Sequence, residues 1–212
     1  MAKQSPSALD EIQSITLGHY EANAQSFWQG TRDHDVSQNI RALLQALPQD
    51  KALDILDFGC GPGRDLLTFK NLGHRPTGLD GSGPFCEMAR QHSGCPVLHQ
   101  RFLSLDLGEN RFDGIFANAS LFHVPGQALG QVLATFHRAL RAGGILFMSN
   151  PRGNSEGWQG ERYGHYMEFE ESQSVLEQAG FKVLDHYYRP EGKPLNEQPW
   201  LAIIAQCQCQ CQ

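Results

Sequence analysis

Leu53-Asp-Ile-Leu-Asp-Phe-Gly-Cys-Gly-Pro-Gly-Arg-Asp65 decides the fold. A short apolar run ends on an acid, Asp57, and a turn with alternating glycines, Gly59, Gly61 and Gly63, follows at once. From Arg64 onward the pattern is helical. A buried strand that breaks into a glycine turn and then a helix lets backbone approach a small ligand closely at the strand's carboxyl end. Arg75-Pro-Thr-Gly-Leu-Asp80 reads as a second short strand that also ends on a carboxylate. Its distance from the turn is the roughly 20 residues expected for an acid that grips a ribose. Together the two signals point to a nucleoside-containing cofactor.

On either side of this unit, strands and helices alternate. Strands are expected over 53–58, 76–79, 96–99, 112–118, 145–149, 181–188 and 200–205. Helices are expected over 64–72, closed by Gly73, over 84–91 with Ser82 as cap, over 127–140, and over 168–178 before Gly180. Alternation of this kind implies a parallel sheet with helices on both faces. The last two strands have only the proline-containing link 189–199 between them. They are therefore expected to form an antiparallel hairpin at one edge. Ahead of the turn, residues 10–28 read as one helix, broken by 30–35, and a second helix runs to Pro48 with Ile40, Leu43, Leu44 and Leu47 at helical spacing.

The 212 residues suffice for one domain with a full core. The reading is a single domain, 1–212: an N-terminal helical lid (1–50), a cofactor-binding core (51–150), a substrate lid loop (151–167), and a C-terminal helix with edge strands (168–212). A net charge of −6 leaves no basic footprint for nucleic acid, and no dense Lys/Arg run suggests a membrane surface. No apolar stretch approaches the roughly 20 residues of a membrane span, and the start lacks the apolar core of a signal peptide. The expectation is a cytoplasmic protein, monomer or homodimer, with a small-molecule partner. Cys60, Cys86 and Cys95 are expected as free thiols. Cys207, Cys209 and Cys211 alternate with glutamine at the end of the chain. That spacing can bind a soft metal, but no histidine lies nearby, and a frayed strand extension is the reading preferred; no metal is expected.

The turn itself narrows the cofactor. A phosphate-cradling loop would need Gly-Lys-Ser/Thr, whereas Gly61 is followed by Pro-Gly-Arg. A dinucleotide turn would place its third glycine at position 64, which is Arg64. Alternating glycines stiffened by Pro62 make a flat surface for an uncharged or zwitterionic ligand.

Here the chain resembles the class I S-adenosylmethionine-dependent methyltransferases. The resemblance rests on Asp57-Phe-Gly-Cys-Gly-Pro-Gly63, on Gly78-Leu-Asp80, on Phe112-Asp-Gly-Ile-Phe-Ala-Asn-Ala-Ser-Leu-Phe-His123, and on Leu140-Arg-Ala-Gly-Gly-Ile-Leu-Phe147, in that order. It implies a Rossmann-like α/β fold: a seven-stranded, mostly parallel sheet with an antiparallel edge hairpin and an N-terminal helical lid. It implies S-adenosyl-L-methionine as cofactor and methyl transfer to N, O or S of a small molecule. In the implied site, Asp57 orients the loop and the methionine amino group, and the backbones of Gly59, Gly61 and Gly63 face the methionine part. Asp80 accepts from the ribose hydroxyls, with Gly81 close. Arg101, Phe102 and Leu103 flank adenine, Asn118 to His123 close the site, and Tyr20 covers the cofactor carboxylate. The sequence departs from the family in lacking an acid at the end of the third strand, where His99-Gln100-Arg101 stands; a backbone carbonyl or Gln100 must then meet the adenine amino group.

The remaining candidates come from residue chemistry. Cys60 is read as a small filler beside the cofactor. His123 leaves the fourth strand as a candidate general base or as a structural histidine bonded to the lid. His34, between two aspartates, lies in a loop that could fold over the pocket or simply cap the next helix. Arg152, Trp158, Tyr163 and Tyr166 fall in a long segment read as the acceptor lid, or as aromatic glue for it. Two rival functions remain: a nicotinamide-dependent oxidoreductase on the same sheet, and a non-catalytic cofactor-binding regulator.

Overall fold

The computed structural model describes residues 4–208. The N-terminal part is three helices, α1 (Pro6–Ala22), α2 (Ala24–Thr31) and α3 (Ser37–Gln45). The Rossmann-like part follows: β1 (Asp54–Phe58), α4 (Arg64–Asn71), β2 (Arg75–Asp80), α5 (Gly83–Ser93), β3 (Val97–His99), β4 (Phe112–Asn118), α6 (Gly126–Ala139) and β5 (Leu140–Pro151). A hairpin, β6 (Ser155–Gln159) and β7 (Arg162–Tyr166), leads to α7 (Phe169–Gln178), β8 (Phe181–Arg189) and β9 (Trp200–Cys207).

The main sheet has seven strands in the order β3-β2-β1-β4-β5-β9-β8. Pairings from β3 to β5 are parallel, and β9 runs antiparallel to both β5 and β8. Strand order reverses between β1 and β4, which opens a crevice at their carboxyl ends. The closing hairpin is antiparallel as expected. Its last strand, β9, is the one inserted beside β5, and β8 forms the edge.

Side-chain alternation explains the two layers. Ile55, Phe116, Phe147 and Ile204 face α3 and α4, while Leu56, Ala117, Leu146 and Ile203 face α6 and α7. Phe116 sits at the centre of the first layer, stacked on Phe147 at 5.0 Å and edge-on to Phe69 at 5.2 Å. Phe116→Ala is expected to cost about 3–5 kcal/mol, because a fully buried ring leaves a cavity its neighbours cannot fill. Chemical denaturation measures this; a loss under about 1 kcal/mol would show that the layer collapses around the gap.

Two expectations need correction. Residues 10–28 are not one helix: Asn23 divides α1 from α2, its Nδ2 donating to the His19 carbonyl at 2.8 Å. That local bond competes with the helical ladder. Residues 151–167 are not a loop without structure but mostly the β6–β7 hairpin, turned at Gly160 with φ +64°. Glycine at the first of two linking residues is what such a tight hairpin requires.

Ser82 caps α5 as expected, accepting from the Phe85 amide at 3.3 Å. Cys60, Cys86 and Cys95 are buried free thiols. Cys207 is buried at the end of β9, while Cys209 and Cys211 lie outside the described residues. Among the described residues no helix is long and apolar enough to cross a membrane.

Candidate functional site

The turn after β1 is held by the end of β2. The amides of Gly59 and Cys60 both donate to the Leu79 carbonyl, at 2.8 and 3.0 Å. Gly59 has φ +73°, and a Cβ there would lie 2.3 Å from Ser120 Cβ. Gly63 has φ +90° and packs on the backbone of Ala89. Gly61 differs: its φ is +50°, but a Cβ would meet only the Phe27 ring, at 3.7 Å. So Gly59 and Gly63 are fixed by packing, and Gly61 keeps backbone exposed to a cavity.

Two buried acids flank this turn. Asp80 Oδ2 accepts from the Gly61 amide at 3.0 Å, and Oδ1 accepts from the Ser82 amide at 2.8 Å. Burial outweighs these bonds and pushes its carboxyl up to about 6. Asp57 is 2% exposed, and its Oδ2 has no hydrogen-bond partner. Burial, then the neighbouring Asp65 charge, drives it well above the ordinary carboxylate range. Cys60 lies beside it with its thiol likewise raised by burial, so it is inert filler rather than a nucleophile.

Helix α1 crosses above. Leu17 packs on Gly81, with its Cδ2 2.8 Å from where a Cβ would stand. Gln13 Oε1 accepts from the Leu103 amide at 3.0 Å. Beneath this helix is a cavity of about 300 Å³, lined by Tyr20, Gly59, Gly61, Asp80, Phe102, Leu103, His123 and Arg162 among others. A second cavity, of about 510 Å³, is lined by Trp28, Cys60, Arg64, Asn118, Ser149 and Arg189 among others. Phe27, His34, Gly59, Gly61, Ala119 and Trp200 line both, so the two spaces adjoin.

His123 joins three elements. Its Nδ1 lies 2.6 Å from the Tyr163 carbonyl and its Nε2 lies 2.8 Å from the Tyr20 hydroxyl. A carbonyl only accepts, so Nδ1 carries the hydrogen and Nε2 accepts the Tyr20 O–H. Burial lowers the imidazole to about 4, which keeps it neutral. The ring therefore ties the lid helix to the β6–β7 hairpin, and its one lone pair is engaged.

Several residues stand elsewhere than expected. Arg101 reaches away from the cavities and donates to Ser14 Oγ at 3.2 Å. Gln100 holds both backbone groups of Asp106 with its amide and faces no ligand space. Asn118 lines the larger cavity and accepts from Asn39 Nδ2 at 2.8 Å. Arg152 pairs with Glu168 at 3.1 Å and lies over the Tyr188 ring. Trp158 is 44% exposed and edge-on to Tyr163. The Tyr163 hydroxyl donates to Glu156 at 3.0 Å, and Tyr166 stacks on Phe122 at 5.8 Å. None of these four hairpin-region side chains lines either cavity; they brace the hairpin. Neighbours on a strand face opposite ways, so it is Arg162, beside Tyr163, that reaches the cavity. Phe27, Phe85, Arg162 and Trp200 are cavity residues that sequence reasoning left out of the site.

Comparison with known proteins agrees with this fold. Residues 56–148 match the family described as methyltransferase domain. Trans-aconitate 2-methyltransferase of Azoarcus sp. is 35% identical over 118 residues, which is 55% of this chain and 46% of that protein. Malonyl-[acyl-carrier protein] O-methyltransferase of Pseudescherichia vulneris is 28% identical over 138 residues, 62% of this chain and 54% of that one. The matches thus span about half the length of these curated relatives. Among solved structures, Burkholderia thailandensis 1,6-didemethyltoxoflavin-N1-methyltransferase, with bound 1,6-didemethyltoxoflavin and S-adenosylhomocysteine, superimposes with a TM-score of 0.77. It is 23% identical, with 99% of this chain and 93% of that one covered.

Proposed function

We propose that this chain, whose residues 56–148 match the methyltransferase-domain family, is a class I S-adenosylmethionine-dependent methyltransferase and transfers a methyl group from S-adenosylmethionine to a small-molecule acceptor. One observation carries the reading: two buried carboxylates end neighbouring strands beside a glycine turn, and Asp57 keeps an oxygen without a partner. A buried acid in that state is stabilised by a cation, which the cofactor's ammonium group would supply. The fit extends to Gly61, whose missing side chain leaves the cavity floor open. Trans-aconitate as the substrate named for a relative supports a small acceptor.

The cofactor supplies a methyl group already activated by its sulfonium. The chain's own work is then to bind, align and exclude water. Asp57 would answer the ammonium, and Asp80 the ribose through lone pairs left beside its two backbone bonds. Phe102 and Leu103 would flank adenine. Leu17 and Tyr20 on α1 close the top, so residues 1–50 act as the cofactor lid and 151–167 as the acceptor-side lid of one domain.

The reading has a pH consequence. In the ligand-free protein the raised Asp80 pKa means that folding favours its protonated form; its contribution to stability falls as pH rises from the ordinary 3.8 to about 6, and stays low above that. Ligand binding uses the ionised form. S-adenosylmethionine affinity is therefore expected to weaken about 10-fold between pH 7 and pH 5, by isothermal titration. Affinity that is flat across this range would remove Asp80 from the site.

Activity is tested by incubating the protein with methyl-labelled S-adenosylmethionine and a fractionated metabolite extract. Labelled product should appear in one fraction together with S-adenosylhomocysteine. Cofactor binding with no transfer to any fraction would favour a non-catalytic regulator.

A further inference from the structure

Resting on the methyl-transfer reading above, we propose that the acceptor is a carboxylate held by the guanidinium of Arg162, and that the product is its methyl ester. Arg162 opens β7 and lines the same cavity as Tyr20, His123 and Asp80. Among the described residues it is the one Arg or Lys lining that cavity. Among the described residues it forms no ion pair, whereas Arg64 of the adjoining cavity is paired with Asp65 at 2.7 Å. Arg162 is exposed and stands at the rim of the cavity; a planar guanidinium without a carboxylate partner there is matched by a ligand carboxylate in a two-pronged bond.

A directional chain of hydrogen bonds ends beside it. The Tyr163 carbonyl takes the Nδ1 hydrogen of His123, Nε2 then takes the Tyr20 hydroxyl hydrogen, and the Tyr20 oxygen is left to accept. The cation nearest that hydroxyl is Arg162. These two bonds fix the polarity of the Tyr20 hydroxyl, beside which the Arg162 guanidinium stands. His123 is accordingly a positioning residue.

The chemistry agrees with the supply of bases. An acceptor with an N–H or O–H must lose a proton. His123 has its lone pair engaged, and both Asp80 oxygens already accept backbone amides. His34, exposed and lining both cavities, and Asp35 and Asp65 of the adjoining cavity are the other candidate bases. A carboxylate needs none. One of its oxygens forms the new O–C bond with a lone pair as the methyl C–S bond breaks, and that bond's electron pair stays on sulfur. A negative and a positive charge cancel, giving a neutral ester and a neutral thioether. Exclusion of water favours such a step.

The test uses the full chain, methyl-labelled S-adenosylmethionine and the metabolite extract. The labelled product is treated with mild alkali. Release of the label as volatile methanol is the expected result, since only an ester yields it; label that stays in an alkali-stable product overturns the proposal. Arg162→Ala should lower transfer into the alkali-labile product at least about 10-fold, with S-adenosylhomocysteine affinity within about 2-fold of the original and partial rescue by Arg162→Lys. A parallel loss of S-adenosylhomocysteine affinity would mean that Arg162 grips the cofactor's own carboxylate, and the proposal would be wrong. His123→Ala should raise KM for the active fraction with kcat little changed; an equal fall in kcat alone would contradict a positioning role. If S-adenosylhomocysteine does not bind the unaltered protein at all, it is the methyl-transfer reading that fails.

Discussion

Asp80→Ala is expected to weaken S-adenosylmethionine binding by two to three orders of magnitude while the chain stays folded. The substitution removes two kinds of contact at once. Asp80 anchors the turn through the Gly61 amide and the start of α5 through the Ser82 amide. Its remaining lone pairs are the ribose acceptors of the proposed site. Hydrogen bonds to a charged partner contribute about 1.5–3 kcal/mol each, and two from the lower part of that range give roughly 3–4 kcal/mol of binding, or two to three orders of magnitude. Stability should move the other way or little, because a buried carboxylate raised to about 6 is itself a burden on the ligand-free fold. Isothermal titration beside thermal unfolding separates the two effects. Affinity within a factor of about 3 of the original would mean that the acid serves only the turn.

Gly59→Ala is expected to be the most damaging single change in the turn. A methyl group there would overlap Ser120 Cβ at 2.3 Å, and Ser120 cannot swing aside freely because its hydroxyl donates to the Phe58 carbonyl at 2.6 Å. The residue also stands at φ +73°, a region that costs a non-glycine residue about 1–2 kcal/mol. With overpacking of about 1–3 kcal/mol added, the loss is about 2–5 kcal/mol, or a melting temperature lower by roughly 10 °C. Gly61→Ala is the contrast. Its methyl would meet only Phe27, at 3.7 Å, so stability should fall by only about 1–2 kcal/mol, while cofactor affinity drops because the methyl enters the cavity. If both variants melted alike, the packing account of the turn would be wrong.

The parts of the site that sequence made legible are local. The β1 turn, Asp57, Asp80 and the cap at Ser82 each follow from a few adjacent residues whose chemistry admits few conformations. Alternating apolar runs likewise carried the sheet, down to the antiparallel final hairpin. The parts that stayed hidden depend on distance or direction. A bond from His123 to the lid was one of two readings of that residue, but its choice over the general base rests on a contact to Tyr20 103 positions away, and the Gln13 bond to the Leu103 amide joins positions 90 apart. No local pattern encodes either. The β6–β7 hairpin was obscured because Gly157, Gly160 and Gly164 interrupt its alternation, and because its link is only Gly160-Glu161. Once it forms, strand alternation decides which side chains face the cavity. That places Arg162 at the rim of the cavity and leaves Tyr163 and Trp158, the residues that looked most like a ligand wall, packed on each other. The departure at the third strand is also resolved only in three dimensions: Gln100 fastens the 100–106 loop with both ends of its amide and faces no ligand space.

The central claim is that the crevice at the ends of β1 and β2 takes S-adenosylmethionine. Titration of the unaltered protein with S-adenosylmethionine, with NADH as a competitor, tests it most directly. The account predicts saturable binding at one site per chain, unaffected by excess NADH. An absence of binding, or displacement by NADH, would contradict it and return the glycine turn to a dinucleotide reading.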